Sequence, residues 1–244
     1  MDDCIIYTAG YSPAMSYCIQ NLKKEGFTLI SEPNMDATHL LLPVPSFTSD
    51  GSIIGGGNLR TLLTLLPGNI MVIGGNLDCP ELVGYATVDL LQDEGYLTAN
   101  AQITAHCAIK VALNQLSVTL DGCPVLVIGW GRIGKCLSRL LRQMGADVTV
   151  CTRKEKDRSI LTAMGYDAVD FHQADLSAYK VVYNTAPTMV FPTCPGNALK
   201  IDLASRLGLG SPDVIWARGL PGKDAPESSG NLIAKTLMPI LRKE

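Results

Sequence analysis

Short apolar runs alternate with longer amphipathic stretches along the first third of the chain. "CIIYTAG" is followed by "SPAMSYCIQNLKKEG", "FTLI", "THLLLPVP", "NLRTLLTLLPG" and "NIMVIGG". The short runs have strand length, and the stretches between them repeat apolar residues at helical spacing. Strand, helix, strand in repeated order, with Gly26 and Gly68 where helices should stop, predicts a parallel sheet covered by helices. The glycine cluster "GSIIGGGN" (Gly51 to Asn58) is followed by no Lys-Ser or Lys-Thr pair, so it reads as a flexible surface loop and not as a phosphate loop.

Further on, "TANAQITAHCAIKVALNQL" repeats Ile103, Cys107, Val111 and Leu113 at helical spacing. Such a helix would bridge two α/β segments and turn its polar positions toward a cleft. "TLDGCP" then makes a turn into a second unit, with a strand Val125 to Ile128, a helix Ile133 to Met144 stopped by Gly145, and a strand Val148 to Cys151. Further strands are predicted at "KVVYNT", "ALKIDLAS" and "DVIWARG". The tail "PESSGNLIAKTLMPILRKE" reads as a helix capped by Ser228 or Ser229, with Leu232, Ile233, Leu237 and Leu241 on one face.

The strand–turn–helix "VLVIGWGRIG" carries Gly129, Gly131 and Gly134 in the G-x-G-x-x-G pattern, in the context that makes it specific for a dinucleotide. Gly129 permits the tight turn, Gly131 lets the backbone reach a pyrophosphate, and Gly134 lets the helix sit close to the strand. The amides of Arg132 and Ile133 would point at the phosphates from a helix N-terminus. An acidic residue at the end of the second strand would bind a ribose hydroxyl and repel a 2'-phosphate. This chain has Thr152, Arg153 and Lys154 there, which favours NADP over NAD. Read blandly, the two cations belong to the solvated run "RKEKDR". Ligands of open parallel sheets bind beyond the carboxyl ends of the strands, so Asn184, Thr185, Ala186 and Pro187 ("NTAP") and Asp202 ("IDLAS") are further cofactor candidates, or ordinary turns.

The fold class expected is therefore α/β, with two Rossmann-like parallel-sheet domains and a cleft between them. Residues 1–100 form the first domain, 101–118 a bridging helix, 119–228 the NADP-binding domain, and 229–244 a terminal helix that packs back on the first. The composition fits a globular α/β protein, with 47% apolar and 18% charged residues in 244. A net charge of -3 leaves no basic footprint for nucleic acid, and no apolar run reaches membrane-span length. "MDDCIIYTAG" lacks the features of a signal peptide, so a cytoplasmic location is expected. The eight cysteines form no C-x-x-C pair and no zinc-spaced cluster with histidine, so no metal is expected. They read as reduced core residues, with Cys107 beside His106 the one reactive candidate.

"LVIGWGRIGKCLSRLLRQMGADVTVCTRK", "VVYNTAP", "KIDLAS" and "GLPGKDAPESSG", in this order and spacing, resemble the A-subunit family of dipicolinate synthase. "LLLPVPSFTSDGSI" and "NAQITAHCAIKVAL" resemble it more loosely. The pair "IDLAS" and "GLPGK" is the most specific part, since generic hydroxyacid dehydrogenases do not share it. The wider relatives are the NAD(P)-dependent 2-hydroxyacid dehydrogenases and adenosylhomocysteinase. The resemblance implies a sporulation enzyme that oxidises dihydrodipicolinate to dipicolinate with reduction of NADP, in complex with the flavoprotein-like B-subunit of dipicolinate synthase. It also leads one to expect a homodimer. Such chemistry needs a hydride acceptor, a base, and cations for two carboxylates. On this resemblance Lys110, Arg218, Lys223 and Arg132 are candidate cations, His106 is a candidate base, and Ser46 and Thr48 are candidate carboxylate donors. The chain departs from the family at His106 and Cys107, where an acidic residue and glycine are usual, which leaves open a different small carboxylate or a non-catalytic nucleotide-binding role.

Overall fold

The computed structural model describes residues 4–242. In chain order the elements are β1 (Ile5–Thr8), α1 (Pro13–Lys24), β2 (Thr28–Ile30), β3 (His39–Leu41), α2 (Leu59–Leu63), β4 (Met71–Gly74), β5 (Thr87–Asp89) and α3 (Glu94–Leu113). There follow β6 (Pro124–Ile128), α4 (Arg132–Gln143), β7 (Asp147–Cys151), α5 (Glu155–Ala163), β8 (Asp167–Val169), β9 (Val181–Asn184), β10 (Leu199–Asp202), β11 (Ile215–Trp216), α6 (Leu220–Asp224) and α7 (Pro226–Leu241). The chain divides into two compact units, residues 1–100 with 221–244, and residues 101–220.

The first unit is built on a five-stranded sheet in the order β2-β1-β3-β4-β5, all parallel. Strand side chains alternate between two faces. Ile6, Leu41 and Ile73 face a layer made by α1 and α7, where Met15, Cys18 and Leu22 meet Ile233, Ala234, Leu237 and Leu241. Tyr7, Leu40, Leu42 and Val72 face the other way, onto Ile53, Leu59, Leu66 and Ile70. Gly230 lies where α7 crosses α1, and a Cβ there would run into the carbonyl of Ala14 and the side chain of Tyr17.

Three expectations change here. The terminal helix starts at Pro226, not at a serine cap, because proline fits the first turn without an amide to satisfy; Ser229 is buried inside the helix. The glycine cluster is an ordered turn and not a loose loop. Ile53 is buried, Ile54 hydrogen-bonds Ser46 and Tyr11, and Gly55 lies directly against the Tyr11 backbone. The bridging helix runs from Glu94 to Leu113 and not over 101–118, started by the Asp93 carboxylate, which accepts from the Tyr96 amide at 2.6 Å. Its buried positions are Tyr96 in the first turn and then the small residues Ala101, Thr104, Ala105, Ala108 and Ala112 with Cys107 and Ile109, while Leu113 is exposed.

The second unit holds a six-stranded parallel sheet in the order β11-β10-β9-β6-β7-β8. The chain winds outward from β6 to β8, returns to the centre, and winds outward the other way from β9 to β11. This is the doubly wound order, with its topological switch between β6 and β9. The pattern of apolar positions does not reveal α5 and β8, because a charged run and a three-residue strand carry little periodic signal.

Gly230→Leu should overpack the α1–α7 crossing and lower stability by about 3 kcal/mol. A urea unfolding curve with an unchanged midpoint would contradict that packing.

Candidate functional site

β6 ends at Ile128, beside the end of β9, and the chain turns at Gly129 with φ 99°, a conformation that L side chains rarely adopt. A Cβ at Gly129 would lie 2.5 Å from the Thr185 hydroxyl, which itself donates to the Ile128 carbonyl at 2.9 Å. Gly134, in the first turn of α4, stands directly against the Gly129 carbonyl. Any side chain there would push the helix off the strand. At Gly131 a Cβ would meet no protein atom within 4 Å. Gly131 is also the N-cap of α4, and no side chain caps it.

The turn is thus crowded where helix meets strand and open where a ligand would approach. The first amides of a helix have no intrahelical partner, and here they face that opening with the favourable end of the helix dipole. These residues fit a dinucleotide pyrophosphate. Trp130, between the first two glycines, stacks edge-on against Tyr166 (5.9 Å) and lies 5.9 Å from the Lys135 ammonium.

The end of β7 is held by Arg158, a residue that no sequence motif singles out. From α5 it donates through Nη1 to the carbonyls of Thr152 (2.8 Å) and Arg153 (3.0 Å) and pairs with Asp170 at 3.0 Å. Thr152 is buried; Arg153 and Lys154 are exposed, with Glu155 and Asp157 following in the first turn of α5. The loop backbone is therefore set by one cation while two others remain at the surface.

Asn184 and Asp202, at the ends of β9 and β10, are fully buried and bonded to each other at 2.9 Å. Asn184 also donates to the Ala186 carbonyl (3.1 Å) and accepts from the Ala186 amide (3.0 Å). Asp202 accepts from the amides of Ala204 (3.0 Å) and Gly208 (2.8 Å). The pair braces the turn that carries Thr185, Ala186 and Pro187, so its side chains are committed to the loops. A sequence signal existed: Asn and Asp at strand ends favour such side-chain-to-backbone bonds.

The remaining candidates scatter. Arg218 is exposed beyond β11, at the carboxyl edge that holds the glycine turn, with its guanidinium 5.2 Å from the Trp216 ring. Lys223 is exposed in α6. Lys110 is exposed in the last turn of α3. His106 is exposed, and its Nε2 lies 3.2 Å from the Gln102 amide nitrogen.

Ser46 is fully buried, donating to the Pro43 carbonyl and accepting from the Gly75 amide, both at 2.9 Å. Thr48 donates to Asp50 and to the Ser52 carbonyl. Thr48 lines a cavity of about 360 Å3 with Asp50, Asp78 and Glu81 against the single cation Arg60, a lining unsuited to a dicarboxylate. The expectation that Ser46 and Thr48 donate to a carboxylate therefore finds no free hydroxyl at Ser46 and an acidic setting at Thr48. None of the eight cysteines, all within the described residues, forms a disulfide, and burial pushes the thiols of Cys18 and Cys151 up to about 12. Cys107 is buried, which argues against a reactive thiol there. Among the described residues no helix is long and apolar enough to cross a membrane, and no metal-binding group of His, Cys, Asp and Glu occurs.

A doubly wound sheet with this glycine turn has the form of a dinucleotide-binding domain, and residues 95–189 match the family model of the D-isomer specific 2-hydroxyacid dehydrogenase NAD binding domain. The particular likeness is to the A-subunit of dipicolinate synthase. The Bacillus subtilis (strain 168) protein of that name is 30% identical over 172 residues, covering 63% of this chain and 57% of that protein. The match thus spans little more than half the length of this relative. The crystal structure of the dipicolinate synthase A-subunit from Bacillus halodurans superposes with a TM-score of 0.84 at 22% identity, over 99% of this chain and 98% of that one. A transhydrogenase from Sinorhizobium meliloti follows at 0.70 and 15% identity, over 98% and 93%. At these identities the structures establish the fold alone.

Gly131→Ala should shift the thermal midpoint only slightly, since its Cβ meets no protein atom within 4 Å, and should weaken dinucleotide binding at least about tenfold by filling the cradle. Asp202→Ala should instead lower stability by about 3 kcal/mol, by stranding two amides and the Asn184 side chain. Thermal melts and nicotinamide fluorescence titrations of the two variants check both outcomes.

Proposed function

We propose that this chain is the cofactor-binding component of a dipicolinate-synthase-like oxidoreductase, which converts dihydrodipicolinate to dipicolinate with NADP. The observation that carries the cofactor half is the open cradle at Gly131 together with the cationic end of β7. The likeness to the dipicolinate synthase A-subunit supports the substrate half.

Gly129, Gly131 and Gly134 would seat the pyrophosphate against the amides of Arg132 and Ile133. Arg153 and Lys154 would hold the 2'-phosphate, on a loop that Arg158 shapes through its carbonyl contacts. Asn184 and Asp202 act at one remove, by fixing the Thr185–Pro187 turn at the switch point. NADP, when bound, supplies the hydride acceptor. The substrate loses a hydride and a proton as its ring becomes aromatic, and the products are dipicolinate, NADPH and a proton. Arg218, at the same carboxyl edge, suits one substrate carboxylate. The Bacillus subtilis relative is named as one of an enzyme's subunits, which supports a partner protein for this chain as well.

The double variant Arg153→Ala with Lys154→Ala should weaken NADPH binding by about tenfold or more and leave NADH binding within about threefold, since only the phosphate contact is lost. Equal losses for the two nucleotides would overturn the NADP reading. The reaction is tested by supplying enzymatically generated dihydrodipicolinate and NADP, with and without the partner protein, and following NADPH absorbance. NADP binding without NADPH formation in the complex would leave the chain a nucleotide-binding role only.

A further inference from the structure

Lys200 is a charged residue in a buried strand position. It stands second in β10, next to the fully buried Ile201, and is itself 2% exposed. An ammonium taken out of water is costly unless it is hydrogen-bonded. Two acceptors meet it here, the Gly196 carbonyl at 3.0 Å and the Asp213 carboxylate at 2.9 Å. The ion pair is lopsided, because the Asp213 side chain is 59% exposed and also accepts from the Ser211 hydroxyl. An ammonium has three N–H donors, and among the described residues the third of Lys200 meets no acceptor.

The same residue lines a cavity of about 430 Å3 at the amino ends of β9, β10 and β11. Lys180, the residue before β9, brings a second cation to it, and its carbonyl accepts from the Leu199 amide at 2.9 Å, which fixes the two strand starts side by side. Lys180 is exposed and pairs with no carboxylate among the described residues. Two ammonium groups thus face the single carboxylate of Asp213. Gln115 and Ser117, after α3, add neutral polar groups, and Leu116, Leu199 and Ile215 supply apolar surface. A few placed polar groups among apolar walls, in a cavity of this size, suit a small molecule. All these residues belong to the unit 101–220, on the edge of its sheet opposite the glycine turn.

We propose that this cavity is a second ligand site, for a small carboxylate with an apolar body. The carboxylate bridges Lys180 and the third donor of Lys200, and the body covers Leu116, Leu199 and Ile215. Such a ligand gives the buried ammonium the acceptor it lacks and balances the excess cation. A bare phosphate meets both lysines but leaves the apolar walls wet and most of the cavity unfilled. The strands are parallel, so their length separates this site from the glycine turn, and the two ligands do not compete. The proposal does not depend on which reaction the chain catalyses.

Benzoate is the probe, titrated into the full chain at constant ionic strength and followed by proton–nitrogen correlation spectra. Signals of Ser117, Leu199, Lys200 and Ile215 should shift saturably, and those of Gly129, Gly131 and Gly134 should stay in place. Lys180→Met keeps the stem of an exposed side chain and removes its charge; it should weaken benzoate binding at least about fivefold, and Lys200→Met should weaken it further. Benzamide, the neutral isostere, and inorganic phosphate, which lacks the apolar body, should each bind at least about tenfold more weakly than benzoate. Shifts confined to the glycine turn, no saturable shift at the cavity, or equal affinity in Lys180→Met would overturn the site. Phosphate or benzamide binding as tightly as benzoate would overturn the ligand class.

Discussion

The contact between Gly134 and the Gly129 carbonyl sets how closely α4 can lie against the end of β6. Everything at the candidate site depends on that approach. It brings the uncapped first turn of α4 level with the switch between β6 and β9, and it leaves the open side of the turn at Gly131. A helix one methyl group farther out would still fold, but its amides would no longer point at the place where the two halves of the sheet diverge.

The second support is the buried Asn184–Asp202 pair. Burying a carboxylate is costly unless its oxygens are hydrogen-bonded, and here three N–H donors from two chain segments meet them. The same bonds that offset desolvation also fix the loops after β9 and β10. Arg158 does this for the loop after β7, through two carbonyls and a carboxylate. Around the rim of the sheet, buried or half-buried polar side chains thus shape the backbone, and Arg153, Lys154 and Arg218 stay exposed. Loops that carry chemistry are held in this way by groups that do not take part in it.

The first unit shows a different use of polar groups. Its serine at position 46 ties two loops together from the interior, and the acids beside Thr48 face a cavity with a single cation. Nothing in that lining matches a dicarboxylate.

Much of this was legible in the chain by itself. Alternating apolar runs and glycine stops specified parallel α/β units, because period-two and period-3.6 patterns follow directly from how side chains leave a strand or a helix. "GWGRIG" was readable for the same reason: its chemistry is local, made by a turn and one helix end. The small-residue face of α3, the ordered turn at Gly51 to Asn58, and the bracing by Arg158 were not. Each depends on residues far apart in sequence, whose donors and acceptors are assigned only when packing brings them together. So the sequence by itself determined which residues offer charge, lone pairs and flexible backbone, and the tertiary structure decided which of those were already used. A hydrogen bond consumes a lone pair or a proton, and only a neighbour in space can take it.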